Sequence, residues 1–363
     1  MANTTGLNAT EIAGSVGLIL AVLVEVGALL GNGALLVVVL RTPGLQDALY
    51  LVHLCIVDLL AAASIMPLGL LAAPPPGLGH VRLGPEPCRA ARFLSAALLP
   101  ACTLGVAALG LARYRFIVHP LRPGVWPPPG LVLTAVWAVA GLLGALSLLG
   151  PPPAPPPAPA RCSVLVGGLG PFRPLWALLA FALPALLLLG AYSSIFLVAR
   201  RAALRPPRPA RVSRLRSDSL DSRLSFLPPL RPRLPGGKAA LAPALAVGQF
   251  AACWLPYGCA CLAPAARAAE AEAAVTWVAY SAFAAHPFLY GLLQRPIRLT
   301  LGRLTRCALP RTPGTCTLHA WQPRALLQRL QGAPQGPALG PSEAPDPARE
   351  LAGGQSPSMP EAT

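Results

Sequence analysis

Between Phe93 and Ala112 the chain carries no charged residue, and this run, dense in Leu, Ala and Val, stops abruptly at Arg113-Tyr114-Arg115. Cys88 and Arg113 are 25 residues apart, about 37 Å along an α-helix at about 1.5 Å per residue. A bilayer's hydrocarbon core is about 30 Å thick. A helix here holds a cysteine at one membrane face and an arginine at the other. Basic residues collect at the cytoplasmic ends of membrane helices whatever their task, so the run sets the solvent first. Its function has to come from the rest of the chain.

Six further apolar runs are long enough to span, which with this one gives seven at about 14–40, 48–72, 89–112, 131–150, 174–199, 239–263 and 272–293. The composition agrees: 54% of the 363 residues are hydrophobic and only 12% charged, against about 25% charged in soluble domains. The expected fold is an all-α membrane protein, a seven-helix bundle. An odd number of spans puts the two ends on opposite sides. Arg113, Arg115 and Arg122, the eleven Arg and Lys of 200–238, and Arg295, Arg298, Arg303 and Arg306 lie in one set of loops, while the other set carries fewer and mixed charges. The first set is therefore inside and the N-terminus outside. This distribution accounts for the net charge of +16 without a nucleic-acid partner, for which no signature is present.

Residues 1–13 contain Asn3-Thr4-Thr5 and Asn8-Ala9-Thr10, acceptor sequences for N-glycosylation on the outer side. No cleavable signal peptide is evident in them. The bundle with its juxtamembrane piece is expected over 14–307. It includes a basic third inner loop at 200–238, and a tail follows at 308–363. The loop and tail are rich in Pro, Arg and Ser, a composition that predicts disorder. After the seventh run, arginines interleave with Ile297, Leu299, Leu301 and Leu304, which predicts a short amphipathic helix on the inner membrane surface. Cys307 at its end is a candidate for palmitoylation, with an unmodified cysteine as the other reading. Nine cysteines lie without metal-ligand spacing, and neither a metal nor another cofactor is expected. No nucleophile–base set is visible, so an enzyme is not expected either. Ser213, Ser217, Ser219, Ser222 and Ser225 sit among arginines, either as phosphorylation sites or as part of a basic linker held at anionic lipid.

Single residues distributed over all seven runs form a set. Gly31-Asn32 lies in the first, Leu54 and Asp58 in the second, Cys88 and Arg113-Tyr114 at the ends of the third, followed by Ile117-Val118-His119-Pro120-Leu121. Trp137 marks the fourth, Pro184 and Tyr192 the fifth, Cys253-Trp254-Leu255-Pro256 the sixth and Pro287-Phe288-Leu289-Tyr290 the seventh. With these residues the chain resembles a rhodopsin-like (class A) G-protein-coupled receptor over about 14–307, and most of all the amine-receptor-like members that lack an assigned ligand. The resemblance implies a Cys88–Cys162 disulfide over the mouth of the bundle. It implies coupling to heterotrimeric G protein through Arg113, Tyr114, Pro120, Tyr192 and Tyr290. Asn32, Asp58, Trp254, Pro256, His286 and Pro287 are then the activation switch. Arrestin is a second implied partner, the plasma membrane the implied location with endosomes as a further one, and membrane lipid the surroundings.

The departures from the family pattern carry the more specific expectations. The acid that precedes the arginine in most relatives is Ala112, and where a sixth-helix acid completes the resting latch the chain has Gly236-Gly237-Lys238. Arg113 is thus expected to lack both restraints, and the chain to signal without ligand. His286 replaces an asparagine, and Cys102 and Phe283 replace hydroxyl residues of a sodium pocket beside Asp58. His286 is either a protonated partner of Asp58 or a neutral hydrogen-bonded imidazole. The amine-binding carboxylate falls at Ser95, and the catechol-binding serines at Trp176, Ala177 and Ala180. Trp254, Tyr257, Trp277 and Tyr280 keep an aromatic box without its anion, for an unknown small-molecule ligand. Glu25, seven residues before Asn32 on the same helical face, is a candidate substitute counter-ion or a partner of Tyr280 or water. A receptor that acts mainly by forming heteromers with other receptors is the alternative function.

Overall fold

The computed structural model describes residues 9–42, 45, 47–72, 84–119, 126–149, 172–204, 236–263 and 265–308. Among them every regular element is helical. The first helix is Ala9–Arg41, the third Pro85–Val118, the fourth Pro129–Ser147 and the sixth Gly236–Leu262. The second runs over 48–72 with a break at Ser64, the fifth over 172–204 and the seventh over 265–292, and Arg295–Ala308 follows as a separate helix. Six of the described helices are long and apolar enough to cross a membrane. The seventh is not among those six. It begins at Ala265, ahead of the apolar pattern, because its alanine-rich start favours helix whatever charges it carries.

The third helix is the axis of the bundle. It starts at Gly84 with Pro85 in the first turn, where a missing N–H costs nothing, and from Ser95 to Gly110 nearly every residue is buried. Second, fourth and fifth helices pack around it. Apolar side chains on the outer side of the bundle stay uncovered, with Leu23 61% and Leu30 70% exposed on the first helix. In water such a surface would be untenable; against acyl chains it is the ordinary outer face of a membrane helix.

Two prolines are accommodated by widened turns. A π-helical turn, Leu178–Ala182, precedes Pro184, and another, Pro287–Leu292, begins at Pro287. Proline has no N–H to give to the carbonyl four residues back, and a π-turn is one way to absorb the mismatch. Pro256 stays within a continuous α-helix. The helix Arg295–Ala308 is amphipathic: Ile297 is buried and Leu301 and Leu304 pack on the core, while Leu299 is exposed along with Arg298, Arg303 and Arg306.

Candidate functional site

A continuous file of rings runs down the middle of the bundle. Trp176 of the fifth helix meets Phe181 at 5.2 Å between centroids, Phe181 stacks on Trp254 at 6.2 Å, and Trp254 meets Phe283 at 5.6 Å. Phe283 then contacts His286 at 6.4 Å and His286 contacts Tyr290 at 5.5 Å. The Arg113 guanidinium lies 5.7 Å from the Tyr290 ring centroid. These rings are buried to within 3% of complete.

At the outer end, Trp254 and Tyr257 on one side and Trp277 and Tyr280 on the other are joined through Phe181 and Phe283. Trp176 is fully buried and its Nε1 donates to the Ala96 carbonyl at 3.0 Å. The indole therefore sits beside Ser95, also buried, and next to Tyr257 at 6.3 Å. Tyr280 contacts Trp277 at 5.5 Å and Phe283 at 5.9 Å. Its hydroxyl donates to the Ile65 carbonyl at 3.3 Å, just past the Ser64 break in the second helix. Gly69 permits this approach, because a Cβ there would stand 2.9 Å from the Tyr280 ring. Glu25 is half-buried and makes no ion pair or hydrogen bond to Tyr280 among the described residues. The pairing entertained for it is not made, since Tyr280 is already engaged by the second helix.

In the middle, Asp58, Cys102 and His286 converge, all fully buried. His286 Nδ1 lies 2.9 Å from Asp58 Oδ2, and Cys102 Sγ donates to Asp58 Oδ1 at 3.5 Å. Their ligand atoms all lie within 4.8 Å of one another, a mixed O, S, N set of the kind that can hold a metal ion. The same atoms are engaged with one another, however, so the carboxylate is answered by protein groups. Asn32 stands beside this centre: its Nδ2 donates to both the Ala28 and the Phe283 carbonyl at 2.9 Å. Phe283 is four residues before Pro287, so its carbonyl is the one Pro287 leaves without a donor. Two separated sequence markers thus meet in one hydrogen bond.

The inner end departs from expectation. Ala112 and the sixth helix supply no acid, yet Arg113 Nε lies 3.2 Å from Asp47 Oδ2. Asp47 is the N-cap of the second helix, and the same oxygen accepts from Gln294 Nε2 at 3.1 Å. Gln294 Nε2 also donates to the Tyr290 carbonyl at 2.9 Å, and Arg113 Nη2 reaches that carbonyl at 3.5 Å. Arg113 thus lacks the two usual restraints, and a carboxylate partner is supplied instead from the turn before the second helix. Asp47 is not legible as a partner in the sequence because no spacing within the third helix leads to it. Tyr192 approaches Gly110, one turn before Arg113, while Tyr114 turns away to His119 at 3.0 Å. His53 of the second helix is buried. It lies edge-on to Trp137 at 5.7 Å, with Nε2 3.3 Å from the Ala101 carbonyl.

Cys88 is disulfide-bonded. Asn3, Asn8, Pro120 and Cys162 lie outside the described residues, as does the side chain of Cys307.

The arrangement couples an outer aromatic cluster to an inner arginine through a buried polar centre, and the family model for the 7 transmembrane receptor (rhodopsin family) matches residues 31–290. The chain belongs to that family. The receptor is 87% identical to G-protein coupled receptor 62 of Homo sapiens over 98% of this chain and 97% of that protein. It is 82% identical to G-protein coupled receptor 62 of Mus musculus over the whole of both. It is also 27% identical to 5-hydroxytryptamine receptor 6 of Rattus norvegicus over 85% of this chain and 80% of that one. Membership makes this a multi-pass receptor of the cell membrane, not an enzyme, with a heterotrimeric G protein as its transducer.

Proposed function

We propose that the receptor signals to its G protein substantially without an agonist. The observation that carries this reading is Trp176, whose indole fills the space between third, fifth and sixth helices where amine receptors place ligand-binding hydroxyls. Trp176 is the first ring of the file that ends at Arg113, so a side chain stands where a ligand's aromatic group would press. The missing sixth-helix acid supports the same reading, because Gly236–Leu262 contains no Asp or Glu to tie it to Arg113. Asp47 pairs with the arginine from a different element. A bias of about 1.4 kcal/mol changes the ratio of active to resting receptor tenfold.

In this reading Arg113, Tyr192 and Tyr290 contact the transducer, arrestin binds the same inner face, and cyclic AMP is the signal to follow. The N-terminus lies outside with sugars on Asn3 and Asn8, the Cys88–Cys162 bridge closes the outer mouth, and Cys307 carries palmitate at the inner surface. Increasing receptor expression should change cyclic AMP or arrestin recruitment in proportion to surface receptor, and Arg113→Ala should abolish the change. A flat response at confirmed surface expression overturns the proposal.

A further inference from the structure

Outside the ring file, the third, fourth and fifth helices, with Tyr50 of the second, line a cavity of about 300 Å³ near the inner membrane face. Its walls are Ala108, Leu111 and Ala112 of the third helix, Val132 and Val136 of the fourth and Leu187 of the fifth. No acidic residue lines it. The alanines on the third helix are what make it hollow, and Ala112 is the position at which a carboxylate would make its wall polar. At the inner end stand Arg115 and Trp126. Arg115 makes no ion pair among the described residues; its nearest engagement is the Phe116 ring at 5.9 Å. Phe116, on the rim, is 38% exposed, on a bundle whose surroundings are acyl chains.

An apolar slot ending at a cation that has no ion-pair partner among the described residues matches a molecule with a hydrocarbon chain and an anionic head. At about 300 Å³ the slot is at the small end of the range of ligand pockets, enough for one chain and too small for a helix. Indole at the inner boundary is where amphipathic rings settle at a headgroup level. We infer that this groove is a binding site for an anionic phospholipid of the inner leaflet, one acyl chain lying on Ala108 and Ala112 and the headgroup phosphate on Arg115. The site is separate from the ring file and does not rest on ligand-free signalling.

The test is native mass spectrometry of the full-length receptor released from nanodiscs holding equal phosphatidylserine and phosphatidylcholine of identical chains. One phosphatidylserine should stay bound per receptor in preference to phosphatidylcholine. Arg115→Gln should lower that preference about fivefold, the effect expected of one cationic side chain at a membrane surface, and Arg115→Lys should retain most of it. Ala108→Trp fills the slot and should remove the retained lipid, whereas Arg303→Gln on the inner amphipathic helix should not. Equal retention of the two lipids, no retained lipid, a co-purifying peptide at the site, or sensitivity to Arg303→Gln in place of Arg115→Gln each overturns the assignment. If Ala108→Trp fails to fold, the Gln and Lys variants at Arg115 decide it alone.

Discussion

Asp47 Oδ2 lies 3.2 Å from Arg113 Nε across 66 positions of sequence. The carboxylate that most relatives place beside this arginine on the third helix is delivered here from the N-cap of the second. Asp47 is only 8% exposed, so water screens this pair less than it would a surface one. Removing the charge is expected to raise basal signalling. Asp47→Asn should increase agonist-free cyclic AMP response per surface receptor several-fold, and adding Ala112→Asp to that variant should bring it back down. A fall in the signal with Asp47→Asn would mean that the contact holds Arg113 in its working position instead.

Trp176 offers a second test. Truncating a buried tryptophan costs roughly 3–5 kcal/mol, and here it also strands the Ala96 carbonyl. Trp176→Ala should lower the melting temperature of purified receptor and reduce basal signalling. Added indole should restore part of both, because it refills the space left behind. Restored stability without restored signalling would confine Trp176 to packing.

The Asn32–Phe283 bond is a third. Leaving the Phe283 carbonyl buried and unpaired beside Pro287 should destabilise the receptor by about 1–3 kcal/mol. Asn32→Leu, similar in size and without a donor, should show this as a lower melting temperature in detergent at fixed lipid content.

The Asp58–His286 contact gives a fourth. With the carboxylate answered by His286 and Cys102, sodium should have no effect on stability. Replacing both with residues that free the carboxylate, as in His286→Asn with Cys102→Ser, should make melting rise with sodium. The expected shift is about 2–4 °C for each kcal/mol of sodium binding. Unchanged melting in sodium-free and sodium-rich buffer for the double variant would show that the pocket cannot be rebuilt at these two positions.

Gly105 is the fifth. A Cβ at this position would lie 2.6 Å from His53 Nε2, and His53 is held against Trp137 and the Ala101 carbonyl. Gly105→Ala should therefore lower thermal stability, while Gly141→Ala, with open space around it, should not.

The apolar runs and their number determined the bundle, because in a bilayer every backbone polar group has to be satisfied within a helix. The residue types of the aromatic box and the identity of His286 were equally legible. Contacts between elements far apart in sequence were not. Nothing in the order of residues connects Asp47 with Arg113, or assigns the carbonyl freed by Pro287 to Asn32. Nor does it show that Tyr280 is held by the second helix and not by Glu25. Helical spacing reports which residues share a face of one helix; which faces meet is decided by how the helices cross, and that is a property of packed side chains. The sequence alone determined that this is a seven-helix membrane receptor lacking two usual acids, and only the tertiary structure decided that a third acid takes up one of their contacts.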